Sequence, residues 1–278
     1  MSELLLQERV NRALELLRQG AGPASAAKRA GIPTRALHAY SLASPADAPA
    51  ALHSLVLLSA EVERREREVR AAAIWPFVAV ASAVFSSSLV WGVALPALRR
   101  APLGGEQVST FPTLMAFSVA VLCLFALGLA VLMRASVPGV PRAWSSIERH
   151  AFASCAHVLH AAGVPLPRAL KSAATWLPAQ GQAEGEAVAH ALEAGGASAP
   201  RVRAALDPVA LSLLFGAAKS GSSVPMLGAL TASTRVKMER EVPHDVLRLH
   251  TVSLLLAGLA VGASFATFYW TYVRAITG

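Results

Sequence analysis

Few residues in this chain have the types and spacings that do chemistry, and those few sit close together. His150, His157 and His160 recur at intervals of seven and three, which places their rings near one face of a helix, an arrangement from which imidazoles can share a metal ion. No cysteine or carboxylate completes a ligand set at a suitable spacing, so the three read as polar or partner-facing histidines. The segment 216–223, GAAKSGSS, contains a Lys-Ser pair but lacks the glycine before the lysine that a phosphate-cradling loop needs. HExxH, GxSxG and CxxC patterns are absent. Cys123 and Cys155 are too few for a disulfide framework, and Cys123 lies in an apolar run where a thiol acts as a small hydrophobe. No catalytic, cofactor-binding or metal residue is assigned, and a non-enzymatic role is the expectation.

Charged residues offer contacts rather than catalysis. Two stretches, 61–70 and 235–242, place Glu61, Arg65 and Glu68, and likewise Arg235 and Glu239, at three- or four-residue spacing. Each helix can thereby satisfy its own charges along one solvated face. The same stretches supply candidates for partner contact: Arg64, Arg65 and Arg67 in the first, and Arg235, Lys237, Glu239, Arg240 and Glu241 in the second. A different chemistry is suggested by 25–40, SAAKRAGIPTRALHAY, where Ala27, Gly31, Ile32 and Leu37 have the spacing of a helix-turn-helix. In a DNA-binding version Thr34, Arg35 and His38 would head the recognition helix. A compact helical hairpin needs the same small residue, glycine and leucine. The segment to Arg70 nets only +2, which leaves no strong basic face for nucleic acid.

The elements that must carry these residues follow from composition. Of 278 residues, 54% are apolar and 15% charged, against about 25% charged in an ordinary soluble domain, and the mean hydropathy is +0.49. Three windows lack Asp, Glu, Lys and Arg: 71–98, 107–133 and 249–273. A helix of roughly 20 residues crosses a bilayer core, so transmembrane helices are expected at 71–96, 111–133 and 249–273. Lys and Arg number ten in 1–70, two at 99–100, twelve in 134–248 and one at Arg274. The positive-inside rule then puts 1–70 and 134–248 in the cytoplasm, with the loop 97–110 and the C-terminus on the periplasmic side. The N-terminus alternates charge with leucine and does not read as a cleaved signal peptide. Gly258 and Gly262 form a GxxxG step in the third span, suited equally to helix packing within the chain and to self-association. The spans carry no ionisable relay, which weighs against a small membrane transporter component, the other membrane alternative.

Both cytoplasmic segments read as short helices joined by turns. Leu6, Val10, Ala13, Leu14 and Leu17 recur on one face before Gly20, as do Ile147, Phe152, Cys155, Val158 and Leu159 before Gly163. The chain also repeats itself. LLRQGAGPASAAK, 16–28, aligns with LHAAGVPLPRALK, 159–171, at an offset of 143, and ERRERE before the first span aligns with VKMERE before the third at an offset of 173. The 30-residue change of offset implies a first copy lacking about two short helices. The expected fold is all-α: a polytopic membrane protein with two cytoplasmic helical-bundle domains, the shortened 1–70 and the fuller 134–248.

In the second copy, AAGVPLPRALKSAA followed by SLLFGAAKSGSSVPMLGALTASTRVKMEREV and a terminal span resembles the inner-membrane platform proteins of type II secretion and type IV pilus systems, including their tight-adherence relatives. The family's opening turn, Ala-Gly-x-Pro-Leu-x-x-Ala-Leu, corresponds to Ala162, Gly163, Pro165, Leu166, Ala169 and Leu170. Its second signature, Gly-Glu-x-Ser-Gly with leucine-rich and Glu-rich helices following, corresponds to Ala217, Ala218, Lys219, Ser220 and Gly221, then Leu227, Leu230, Glu239 and Glu241. The usual Gly-Glu is Ala217-Ala218 here, and the first copy has ASPADAP in place of the signature.

The resemblance implies a scaffold without cofactors in a bacterial inner membrane, its N-terminus cytoplasmic. Such proteins bind the cytoplasmic assembly ATPase through their helical domains, pass its motion to pilin or pseudopilin subunits, and contact membrane lipid, other inner-membrane assembly proteins and further copies of themselves. Gly20, Gly163, Pro165 and Gly221 would then be structural turns. A membrane-anchored helix-turn-helix regulator remains the alternative from outside this class.

Overall fold

The computed structural model describes residues 3–43, 48–94, 121–123, 126, 143–194, 212, 214–218 and 221–277, and the described residues form helices and turns with no strand among them. The expected loop 97–110 and nearly all of the expected span 111–133 lie outside the described residues. The helices are α1 (Glu3–Arg18), α2 (Pro23–Ala30), α3 (Thr34–Ala43), α4 (Ala48–Ala72), α5 (Ile74–Leu89) with a π-helical continuation Val90–Ala94, α6 (Ala143–Ala161), α7 (Leu166–Ala174), α8 (Ala179–Glu193) and α9 (Ser223–Thr277).

The apolar stripes form as their spacing dictates. On α1, Leu6, Val10, Ala13 and Leu14 are buried, and on α6 so are Ile147, Phe152, Cys155 and Leu159. Both helices end in the same way. Gly20 N–H donates to Leu17 O and Ala21 N–H to Leu16 O, while Gly163 N–H donates to His160 O and Val164 N–H to Leu159 O. These bonds are related by the sequence offset of 143, and the glycines sit at φ +81° and +85°. A side chain there would push Cβ against the neighbouring carbonyl, which is why glycine closes both hairpins. The next helix then starts in each copy with an equivalent bond, Ala26 N–H to Gly22 O and Ala169 N–H to Pro165 O. Pro165 is the N-cap of α7.

Two compact units result, one formed by 1–66 with 143–241 and the other by 67–142 with 242–278. Residues of both expected cytoplasmic segments, 1–70 and 134–248, contribute to the first unit. Within this unit α3 packs against α7, which also packs on α6 and α8. Arg168 Nε donates to Leu42 O at 3.1 Å, and Arg35 reaches both Glu66, at 3.4 Å, and the ring of Trp176, 5.9 Å from its centroid. The helices α7 and α8 approach so closely that a Cβ on Gly185 would lie 2.8 Å from Ala174 Cβ.

The described residues of the second unit lie mostly in apolar helix. Helical stretches Pro49–Leu89 and Ser223–Trp270 are long and apolar enough to cross a membrane, and only 33% and 22% of their most apolar windows are buried. Within the unit, Ser87 and Ser264 share a hydrogen bond at 2.8 Å, Ala83 packs on Ala260, and Trp75 lies against His250 with ring centroids 5.0 Å apart. Contact positions rise together along α5 and α9, so the two helices run parallel. The first apolar stretch does not form one unbroken helix. Pro76 has no N–H and its ring crowds the carbonyl four residues earlier, and the chain makes a turn at Ala73, whose N–H donates to Val69 O and Arg70 O. Pro243 is absorbed inside α9 without interrupting it.

Candidate functional site

The charged helix turns singled out from the sequence lie where α4 and α9 approach the apolar segments. Arg235, Lys237, Glu239 and Arg240 are exposed on α9 and Glu241 is half-buried; on α4, Arg64 and Arg67 are exposed and Arg65 is half-buried. The expected intrahelical pair is present, with Arg235 Nε donating to Glu239 Oε1 at 3.0 Å. This bond, with Glu61 and Glu239 as nearby negative charges, holds the Arg235 pKa above its ordinary value. The face therefore mixes both signs and stays exposed to solvent.

Among the described residues no group of three or more His, Cys, Asp or Glu has the geometry to hold a metal ion. His150, His157 and His160 lie between α6 and the first turns of α9. His160 Nδ1 donates to Val164 O at 2.8 Å while its Nε2 meets Ser223 Oγ at 2.7 Å, tying the Gly163 turn to the first residue of α9. A Cβ on Gly228 would come 3.4 Å from His157 Nε2, so this ring fills the space a side chain would take. His150, 3% exposed, makes long contacts of 3.4 Å from Nδ1 to Thr234 Oγ1 and to Ser154 Oγ. Burial lowers the His150 pKa, opposed by the charge of Glu61; His157 is also lowered, by burial and then by His160. Burial likewise pushes the Cys155 thiol far above its usual range, which makes it inert as a nucleophile.

The helix-turn-helix forms as its spacing requires, with Gly31 at φ +68° and Ala27, Ile32 and Leu37 buried. Thr34, Arg35 and His38 of its expected reading head are all exposed; Arg35 also pairs with Glu66 at 3.4 Å and lies 5.9 Å from the Trp176 ring centroid, and α3 is packed on α7. Gly221, at φ +73°, forms the turn before α9, where Ser222 N–H donates to Ala217 O. Lys219 and Ser220 of the second signature lie outside the described residues. Gly258 and Gly262 are exposed, and a Cβ on either would meet nothing within 4 Å among the described residues. Ala260 and Ser264 of the same helix are the small residues that meet α5.

Two buried acids were missed from the sequence. Glu66 is 8% exposed and Asp245 7%, and Asp245 Oδ2 has no hydrogen-bond partner among the described residues. Both lie on apolar stripes, Val62–Glu66–Val69 and Val242–Asp245–Leu249, so a carboxylate in helical phase with buried neighbours was the available signal.

No family model, curated protein or solved structure matches this chain.

Proposed function

We propose that the chain is a non-enzymatic platform protein of a bacterial inner membrane, on which a cytoplasmic ATPase drives pilin or pseudopilin movement in a type IV pilus or type II secretion-like machine. The observation that carries this reading is the repeat: two hairpins closed by the same bonds at an offset of 143, each copy leading through a charged helix into an apolar one. A scaffold of this kind needs a firmly packed helical body, hydrated faces for partners and apolar helices for anchorage. It needs no pocket with a reactive group.

Parallel packing of α5 and α9 supports the three-span topology. If both cross a bilayer in the same direction, the chain between them must return once, and 107–133 is the charge-free window of sufficient length. The charge distribution then sets the N-terminus in the cytoplasm and the C-terminus in the periplasm. A reporter fused after Gly104 is expected to read as outside and one after Gly196 as cytoplasmic; cytoplasmic activity at both sites would remove the three-span arrangement.

The motor contact is assigned to the exposed bases of α9. The triple change Arg235→Glu, Lys237→Glu and Arg240→Glu is expected to weaken co-purification with the cognate ATPase in a salt-sensitive way while leaving the protein in the membrane fraction. Undiminished binding across a range of salt would put the docking site elsewhere. If the wild type recovers no ATPase but retards a duplex DNA probe, the membrane-anchored regulator takes its place.

A further inference from the structure

Where the apolar part of the second unit begins, its exposed residues change character within one helical turn. On the first helix stretch Arg67 and Arg70 are exposed and are followed by Ile74, Trp75 and Val78, 59%, 49% and 46% exposed. On α9 His244 and Arg248 are exposed, with Leu247, Val252 and Leu255 beside and after them. Because α5 and α9 run parallel, both basic turns precede the apolar stripe in the same sense, and the Trp75–His250 ring contact joins the two helices just past them. Of the acids between these bases, Glu68 is exposed and Asp245 is buried.

We infer that Arg67, Arg70 and Arg248, with His244, form a collar that binds the headgroups of anionic phospholipids in preference to zwitterionic ones. This rests on the membrane reading above and adds the lipid class. An arginine one turn from exposed leucine, isoleucine and tryptophan lays its methylene stem on acyl chain and its guanidinium at phosphate level, where its fork accepts a phosphodiester through two N–H donors. An aromatic ring at the same level favours the headgroup boundary. A zwitterionic headgroup offers the phosphate but cancels its charge, whereas an anionic headgroup leaves a net charge for the collar.

The test uses the full chain reconstituted in vesicles of phosphatidylcholine alone and of phosphatidylcholine with phosphatidylglycerol at a fixed ratio, followed by flotation and by quantification of lipid retained after detergent extraction. The wild type is expected to float with both vesicles and to retain phosphatidylglycerol roughly fivefold above the bulk ratio, since each base near an anionic surface contributes about that factor. High salt should reduce the enrichment. The variant Arg67→Gln, Arg70→Gln, Arg248→Gln should float equally well and return to the bulk ratio, while the corresponding triple lysine variant should keep most of the preference. Arg9→Gln with Arg12→Gln, on exposed positions of α1, should change nothing. Flotation with a bulk lipid ratio in the wild type, or undiminished enrichment in the glutamine variant, overturns the collar alone. Failure of the wild type to float with either vesicle overturns the membrane reading and the collar with it.

Discussion

The hairpins α1–α2 and α6–α7 close with matching backbone bonds, yet the helices that lead into them are buried to very different extents. On α6 the aligned positions His150, Ala153 and Ser154 are buried against their neighbours. Of their counterparts on α1, Val10 is also buried, but Gln7 and Asn11 are exposed and line an open cleft of about 460 Å³ with Pro49, Ala50, His53 and Ser54 of α4. Leu159 is fully buried, whereas Leu16, its partner in the repeat, is partly exposed. Turn geometry is thus a local property that both copies keep. Burial is set by what else the chain brings alongside, and there the shortened copy differs.

The largest test of that contrast is Leu159→Ala against Leu16→Ala. Removing Leu159 leaves a cavity in a filled core and should cost about 3–5 kcal/mol, whereas Leu16 should cost about 1 kcal/mol, as partial solvation already replaces packing. Chemical denaturation of the detergent-solubilised chain measures both, and equal losses would mean that the copies are equivalent in packing as well as in turn.

Next in size are Gly163→Val and Gly20→Val, which address the shared feature. Each forces a β-branched residue to positive φ at a cost of roughly 1–2 kcal/mol. Since a Cβ on Gly20 meets nothing within 4 Å, its cost is backbone strain alone. Nearly equal falls in melting temperature are expected, and a loss confined to Gly163 would break the turn equivalence.

A smaller effect is confined to the second copy and depends on pH. His150 is held neutral chiefly by burial, so the unfolded chain binds its proton at higher pH than the folded one. Stability should therefore fall as pH drops through the ordinary histidine range, and level off below the depressed folded-state value. His150→Gln should reduce the slope of melting temperature against pH between about 7.5 and 5. Gln7→His, at the exposed matching position, should add none.

The smallest expected effect concerns a pair that sits wholly on the surface. Arg235→Gln removes an exposed intrahelical bond and should leave the melting temperature unchanged within error while preserving the fold. A clear loss of stability would mean that this surface is packed against something in the protein as purified.

Much of this was legible locally. Periodicity found the buried stripes of α1 and α6, and glycine placement found the Gly20, Gly163 and Gly221 turns, because both are matters of neighbours within one or two helical turns. Contacts across long separations were not legible. Nothing around Arg35 announces Trp176, 141 positions later. The phase of α9 relative to α5 was not legible either: it turns Ala260 and Ser264 toward α5, while Gly258 and Gly262 are exposed.

That seam repeats itself every four residues, with Ala79, Ala83 and Ser87 on one rod and Ala260 and Ser264 on the other, all buried. Small side chains so alike in volume fit almost as well after a slip of one rung, about 6 Å along the axis. Steric fit alone would leave the two rods free to idle between notches. The hydroxyl pair Ser87–Ser264 breaks that degeneracy, because only one setting brings two oxygens to 2.8 Å where no water competes. It works as a detent: weak enough to be released by a modest pull, and specific enough to define where the rods come to rest.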